Sequence, residues 1–73
     1  MNELLNIINL VLANKGKPLV PSLSESATLR NDIGFDSLDL AEFTVRLEEK
    51  YGIDIFEDGL VDTIGEVMLK ISK

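Results

Sequence analysis

The sequence predicts an all-α fold: a small four-helix bundle with a long loop between helices I and II and a short helix III. Three observations predict it. Apolar residues recur at helical spacing in three separate stretches, 3–15, 37–51 and 63–71. No stretch alternates apolar and polar residues for long, as a half-buried strand would. Glycine or proline follows each of the first two stretches, at Gly16, Pro18 and Gly52, where a helix stop is expected. The chain has 73 residues, and 45% of them are hydrophobic, so it reads as one globular domain spanning 1–73 with a thin core.

The first helix covers 3–15, "ELLNIINLVLANK". Leu4, Ile8, Val11 and Leu12 share one face, with Leu5 and Ile7 beside them. Residues 17–35 hold two prolines and four serines or threonines, with little periodicity. A connection this long in a compact domain hints at function or at a hidden short helix. Leu23, Leu29, Ile33 and Phe35 are its candidates for pinning to the core. The second helix covers 37–51, "SLDLAEFTVRLEEKY", with Asp36 as its N-cap. Residues 56–61 form one short turn. The last helix is "TIGEVMLKI", in which Thr63 and Glu66 have the spacing of a capping box. Ile64, Val67, Met68 and Ile71 make its apolar face, and Gly65 weakens it by about 1 kcal/mol relative to alanine.

The second helix carries two apolar faces. At about 100° per residue from Leu38, Leu40, Phe43, Thr44, Leu47 and Tyr51 fall between about 140° and 240°. They form the core stripe. Leu38, Ala41 and Val45 form a narrower strip on nearly the opposite side. Asp39, Glu42 and Glu49 flank that strip on one edge and Glu48 on the other. Apolar residues with an acidic rim, turned away from the core, read as a docking surface.

Composition narrows the function. Residues 32–73 hold eleven of the thirteen acids and four of the seven bases. That asymmetry argues against nucleic acid and suits docking to basic protein patches. The first residues lack the basic start and the small-residue cleavage site of a signal peptide. No apolar run nears the roughly 20 residues that span a bilayer. These features predict a cytoplasmic monomer with no membrane insertion. Cysteine is absent, so no disulfide staples the domain.

Ser37 lies between Asp36 and Leu38 in "GFDSLDL". A nucleophilic serine needs a base, yet the chain has no histidine, and no lysine is near in sequence. Asp36 and Asp39 are weak bases in the absence of burial. Ser37 therefore makes better sense as a substrate: a hydroxyl at a helix N-terminus, where an attached phosphodiester meets the positive end of the helix.

Residues 32–55, "DIGFDSLDLAEFTVRLEEKYGIDI", resemble the acyl carrier protein family. The shared pattern is aspartate, apolar, glycine, any residue, Asp-Ser-Leu, then an acidic amphipathic helix ending in glutamates, an aromatic and glycine. "ATLRN" upstream and "TIGEVMLKI" downstream extend the likeness over nearly the whole chain. The resemblance implies that a phosphopantetheinyl transferase esterifies Ser37 with 4′-phosphopantetheine. The thiol of that arm then carries acyl groups as thioesters to biosynthetic enzymes of fatty-acid, lipid or polyketide type. Asp36 would help position the transfer. Leu38, Ala41, Glu42 and Val45 fall where family members meet partner enzymes, and with the flanking Asp39 and Glu49 they would face basic docking patches. The chain would be a carrier and not an enzyme. It departs from the family's commonest pattern at Arg46, at Thr44, and in a linker "IFEDGLVDT" about two residues short, which reduces helix III to one turn or less.

Two other readings compete. One is an acidic interaction module without cofactor. The other is a degenerate calcium-binding helix-loop-helix over 54–65. There Asp54, Asp58, Gly59, Val61 and Asp62 fit the loop pattern, but Phe56 and Gly65 stand where oxygen ligands are required. No metal site is expected.

Overall fold

A computed structural model describes residues 2–57, 59 and 61–71. Three helices follow one another: α1, Asn2–Asn14; α2, Ser37–Tyr51; and α3, Ile64–Ile71. Among the described residues none forms a strand, apart from one isolated antiparallel bridge between Thr28 and Thr63. The all-α expectation holds, but among the described residues there are three helices and not four. Residues 55–57 form only a turn, closed by Glu57 N–H donating to Asp54 O at 3.2 Å. Asp54 Oδ1 also accepts from Phe56 N–H at 3.0 Å, an Asx turn that caps this single turn. Asp58 and Leu60, from the expected short turn, lie outside the described residues.

α1 and α2 pack antiparallel. Tyr51 Oη donates to Glu3 Oε2 at 3.3 Å at one end, and Asn14 Nδ2 donates to Glu42 Oε2 at 3.2 Å at the other. Leu4, Ile8, Val11 and Leu12 bury the inner face of α1 against Leu40, Phe43 and Leu47 of α2. Phe35 and Phe43 stack tilted, with centroids 5.3 Å apart. Ile64 and Val67 bring α3 into the same core, and Ile55 and Val61 fill it from the connection before α3.

The loop between α1 and α2 contains no hidden helix. It is held by side chains. Asn9 makes a matched pair of bonds with Val20, donating to its carbonyl at 2.9 Å and accepting from its N–H at 2.8 Å. Thr28 and Asp32 satisfy one another's backbone N–H groups at 2.8 and 3.0 Å. Leu29, Ile33 and Phe35 are buried and Leu23 packs beside them, as their apolar character predicts.

α3 begins with the expected capping box. Glu66 N–H donates to Thr63 Oγ1 at 3.2 Å, and Thr63 N–H donates to Glu66 Oε1 at 3.0 Å. Gly65 has a reason that helix propensity does not show. Its N–H donates to Glu25 O at 2.8 Å, and a Cβ there would lie 3.1 Å from that same oxygen. Gly65→Ala is therefore expected to miss the gain of about 1 kcal/mol that propensity alone promises. Thermal unfolding checks this: the melting temperature should stay level or fall, whereas a rise of several degrees would show that the loop yields freely.

Candidate functional site

The first turn of α2 is built by reciprocal capping. Asp36 is extended, with φ −95° and ψ −173°. Its Oδ1 accepts from Asp39 N–H at 2.9 Å, while Asp39 Oδ2 accepts from Asp36 N–H at 3.1 Å. Gly34 has φ +95°, a conformation glycine reaches at little cost, and it lets the chain bury Phe35 and turn outward two residues later. Ser37 is thus the first helical residue. It is exposed, and its hydroxyl makes no hydrogen bond among the described residues.

Lys17 enters this site from the far side of the loop. Its ammonium donates to Gly34 O at 3.0 Å, to Asp36 Oδ2 at 3.4 Å and to Asp39 Oδ2. Sequence reasoning missed it, since no local periodicity links residues 22 apart. The Asp39 hydrogen bond holds the Lys17 pKa above its usual value. A lysine held charged is no general base for Ser37 at neutral pH. The Asp36 carboxyl is held below its usual range, first by the Asp39 backbone N–H and then by Lys17.

Asp39 requires a correction. The helical projection puts it on the rim of the docking strip, but its exposure is 0%. Capping explains the difference. The carboxylate folds back over the Asp36 N–H and meets Lys17, which covers it, and its Oδ1 is buried without a partner. Asp39 is internal scaffolding of the helix start and presents no charge to a partner.

The rest of the strip lies as projected. Leu38 is 72% exposed and Val45 55%, and Ala41, Glu48 and Glu49 are also exposed. Leu40, Phe43 and Leu47 are buried on the other side, with Thr44 and Tyr51 half-buried. Thr44 offsets the polarity of its position by donating to Leu40 O at 2.8 Å. Glu42 is less free than a rim residue should be. Its carboxyl is held below the usual range by the hydrogen bonds from Asn14 and then Arg46, with Lys15 4.0 Å away. Arg46, unusual for the family pattern, thus compensates Glu42 one turn earlier.

A cavity of about 720 Å³ opens beside Ser37, lined in part by Leu40, Ala41, Thr44, Phe56 and Val61. Arg30, Asp54 and Asp62 supply its charged groups. An exposed hydroxyl, the positive end of a helix and a neighbouring apolar hollow fit a covalently attached, phosphate-bearing arm. Among the described residues no group of three or more carboxylates could hold a metal ion, and Asp58 lies outside those residues. Nor is any described helix long and apolar enough to cross a membrane.

An exposed hydroxyl at a helix start with no resident base is compatible with the acceptor serine of a carrier domain. Residues 2–68 match the family model described as "Phosphopantetheine attachment site". The chain is 37% identical over 68 residues to an acyl carrier protein of Saccharopolyspora erythraea, covering 90% of this chain and 72% of the relative. It is 31% identical over 68 residues to an acyl carrier protein of Lactobacillus acidophilus, covering 90% of this chain and 85% of the relative. The chain belongs to the acyl carrier protein family, and covalent 4′-phosphopantetheine is the group that family carries.

Proposed function

We propose that Ser37 is the residue that takes the 4′-phosphopantetheine arm and that residues 1–73 work as a single acyl-carrier domain. The observation that carries this reading is the exposed, unengaged hydroxyl of Ser37, set between a cavity and an apolar strip on one helix. In the transfer, the Ser37 oxygen bonds to phosphorus of a pantetheine-bearing nucleotide and the phosphoanhydride bond of that donor breaks. The serine proton leaves to a base of the transferase, because Lys17 is held charged and the chain has no histidine. The arm, once attached, supplies the thiol that holds an acyl group as a thioester. The start of α2 favours the phosphodiester through its dipole, and the Asp36 carboxylate beside Ser37 is held below the usual carboxylate range by the Asp39 N–H and Lys17. The chain itself is a substrate of other enzymes, working in the cytoplasm as a monomer.

Leu38, Ala41 and Val45, rimmed by Glu48, Glu49 and the partly compensated Glu42, form the face for the transferase and for acyl-handling enzymes with basic patches. Partners must bind and leave, so the contact is small, with charge setting on-rate and apolar area setting residence. Glu49→Lys should slow modification at low salt, with the defect against wild type shrinking at high salt. Leu38→Ala should slow it with little salt dependence. Both variants should stay folded by circular dichroism, since both side chains are exposed. Modification rates at two ionic strengths test the pair, and identical salt responses would remove the division of roles. Intact mass after incubation with a phosphopantetheinyl transferase, followed by peptide mapping, tests the attachment itself.

A further inference from the structure

We propose that Lys17 is a positioning residue for modification at Ser37: its ammonium ties the inter-helix loop to the first turn of α2 and cancels one of the two carboxylates flanking the acceptor hydroxyl. This rests on the assignment of Ser37 as the attachment residue.

The geometry is a three-point clamp. A lysine ammonium has three N–H donors and no acceptor, and Lys17 has three acceptors. Gly34 O at 3.0 Å and Asp36 Oδ2 at 3.4 Å come from the chain entering the helix, and Asp39 Oδ2 comes from beyond the serine. The clamp therefore brackets Ser37 on both sides. Its own origin is fixed by the end of α1, where Lys17 N–H donates to Leu12 O at 2.9 Å and Gly16 N–H to Ala13 O at 3.1 Å. The position of the ammonium is set by one helix and its contacts by another.

The burial pattern makes the clamp necessary. Asp39 is 0% exposed, and its Oδ1 has no partner. Its remaining oxygen is served by Lys17 and by the Asp36 N–H at 3.1 Å. A buried carboxylate stripped of its counter-ion is strongly unfavourable. It relieves that cost by rotating toward water, and the rotation breaks the reciprocal bond to Asp36. Asp36 then loses its fixed bearing, and so does the serine next to it. The charge effect acts in the same direction. The phosphoryl donor is an anion, and two uncompensated carboxylates beside the acceptor repel it. Among the described residues Lys17 is the ion-pair partner of both Asp36 and Asp39.

The test is the rate of phosphopantetheine attachment on the full chain, measured per folded molecule, for Lys17→Met, Lys17→Arg, Asp39→Asn and Lys17→Met/Asp39→Asn. Methionine keeps the length of the side chain and removes the charge. Lys17→Met should lose roughly tenfold in kcat with KM little changed, since the docking strip is untouched and only the acceptor is misplaced. Lys17→Arg should recover most of the rate. In the Asp39→Asn background the Lys17→Met penalty should shrink to about twofold or less, because the buried charge that needed compensation is gone. If Lys17→Met fails to fold, the last two variants carry the test alone. Modification of wild type at Ser37 with a folded Lys17→Met reacting at the wild-type rate overturns the role of Lys17. So does a full Lys17→Met penalty in the Asp39→Asn background. Absence of modification at Ser37 in wild type overturns the attachment assignment instead.

Discussion

Ser37→Ala is expected to fold like wild type and to accept no phosphopantetheine at all. The two halves of that expectation have separate physical grounds. Stability should change by less than about 0.5 kcal/mol, because the hydroxyl makes no hydrogen bond among the described residues and Asp36 and Asp39 already cap the helix. Attachment should vanish because the ester oxygen is gone. The other described serines, Ser22, Ser24 and Ser26, lie in the exposed loop, and none of them begins a helix. Intact mass of the variant after prolonged incubation with a transferase measures the effect, and circular dichroism confirms the fold. A mass gain in the variant, or wild-type modification mapped to the loop serines, would mean that another residue is the acceptor.

Phe43→Ala should be the most destabilising single truncation in α2. Phe43 is fully buried and packs on Phe35, joining the buried face of α2 to the loop that delivers Ser37. Truncating a buried phenylalanine costs about 3–5 kcal/mol. A domain of this length has a total stability of about 4–11 kcal/mol at typical values per residue. The variant should therefore be largely unfolded near its working temperature, or unfold at much lower urea than wild type. Val45→Ala, two residues on, should cost less than about 0.5 kcal/mol, because Val45 is 55% exposed. Urea melts of the two variants give the contrast directly. A loss below about 1 kcal/mol for Phe43→Ala would show that the core repacks around the vacancy.

The exposed apolar strip and the core stripe of α2 were both legible in the sequence because side chains three and four positions apart share a helical face. The Thr63–Glu66 box was legible for the same reason, its partners being within one turn. The short third helix was not. The sequence counted the short turn over 56–61 as part of a fourth helix, whereas residues 55–57 form a turn closed by the Glu57 N–H on Asp54 O. Glu42 was placed on the rim of the strip, but Asn14 and Lys15 reach it across the helix pair, contacts that leave no mark in the local pattern.

Local sequence pattern was enough for the class of fold, the three main helical stretches, the caps of α2 and α3, and the serine that stands at a helix start. All of these depend on residues within about one turn of each other, where backbone geometry alone decides who meets whom. Long-range packing was needed to bury Asp39, to cover it with Lys17, and to set Glu25 O close against Gly65. Those contacts join residues 22 and 40 positions apart. The path of the loop sets them, and that path is held by the Asn9–Val20 and Thr28–Asp32 bonds and by the burial of Leu29, Ile33 and Phe35. A helical repeat carries no information about where a loop returns, so packing and hydrogen-bond satisfaction over the whole chain had to make that choice.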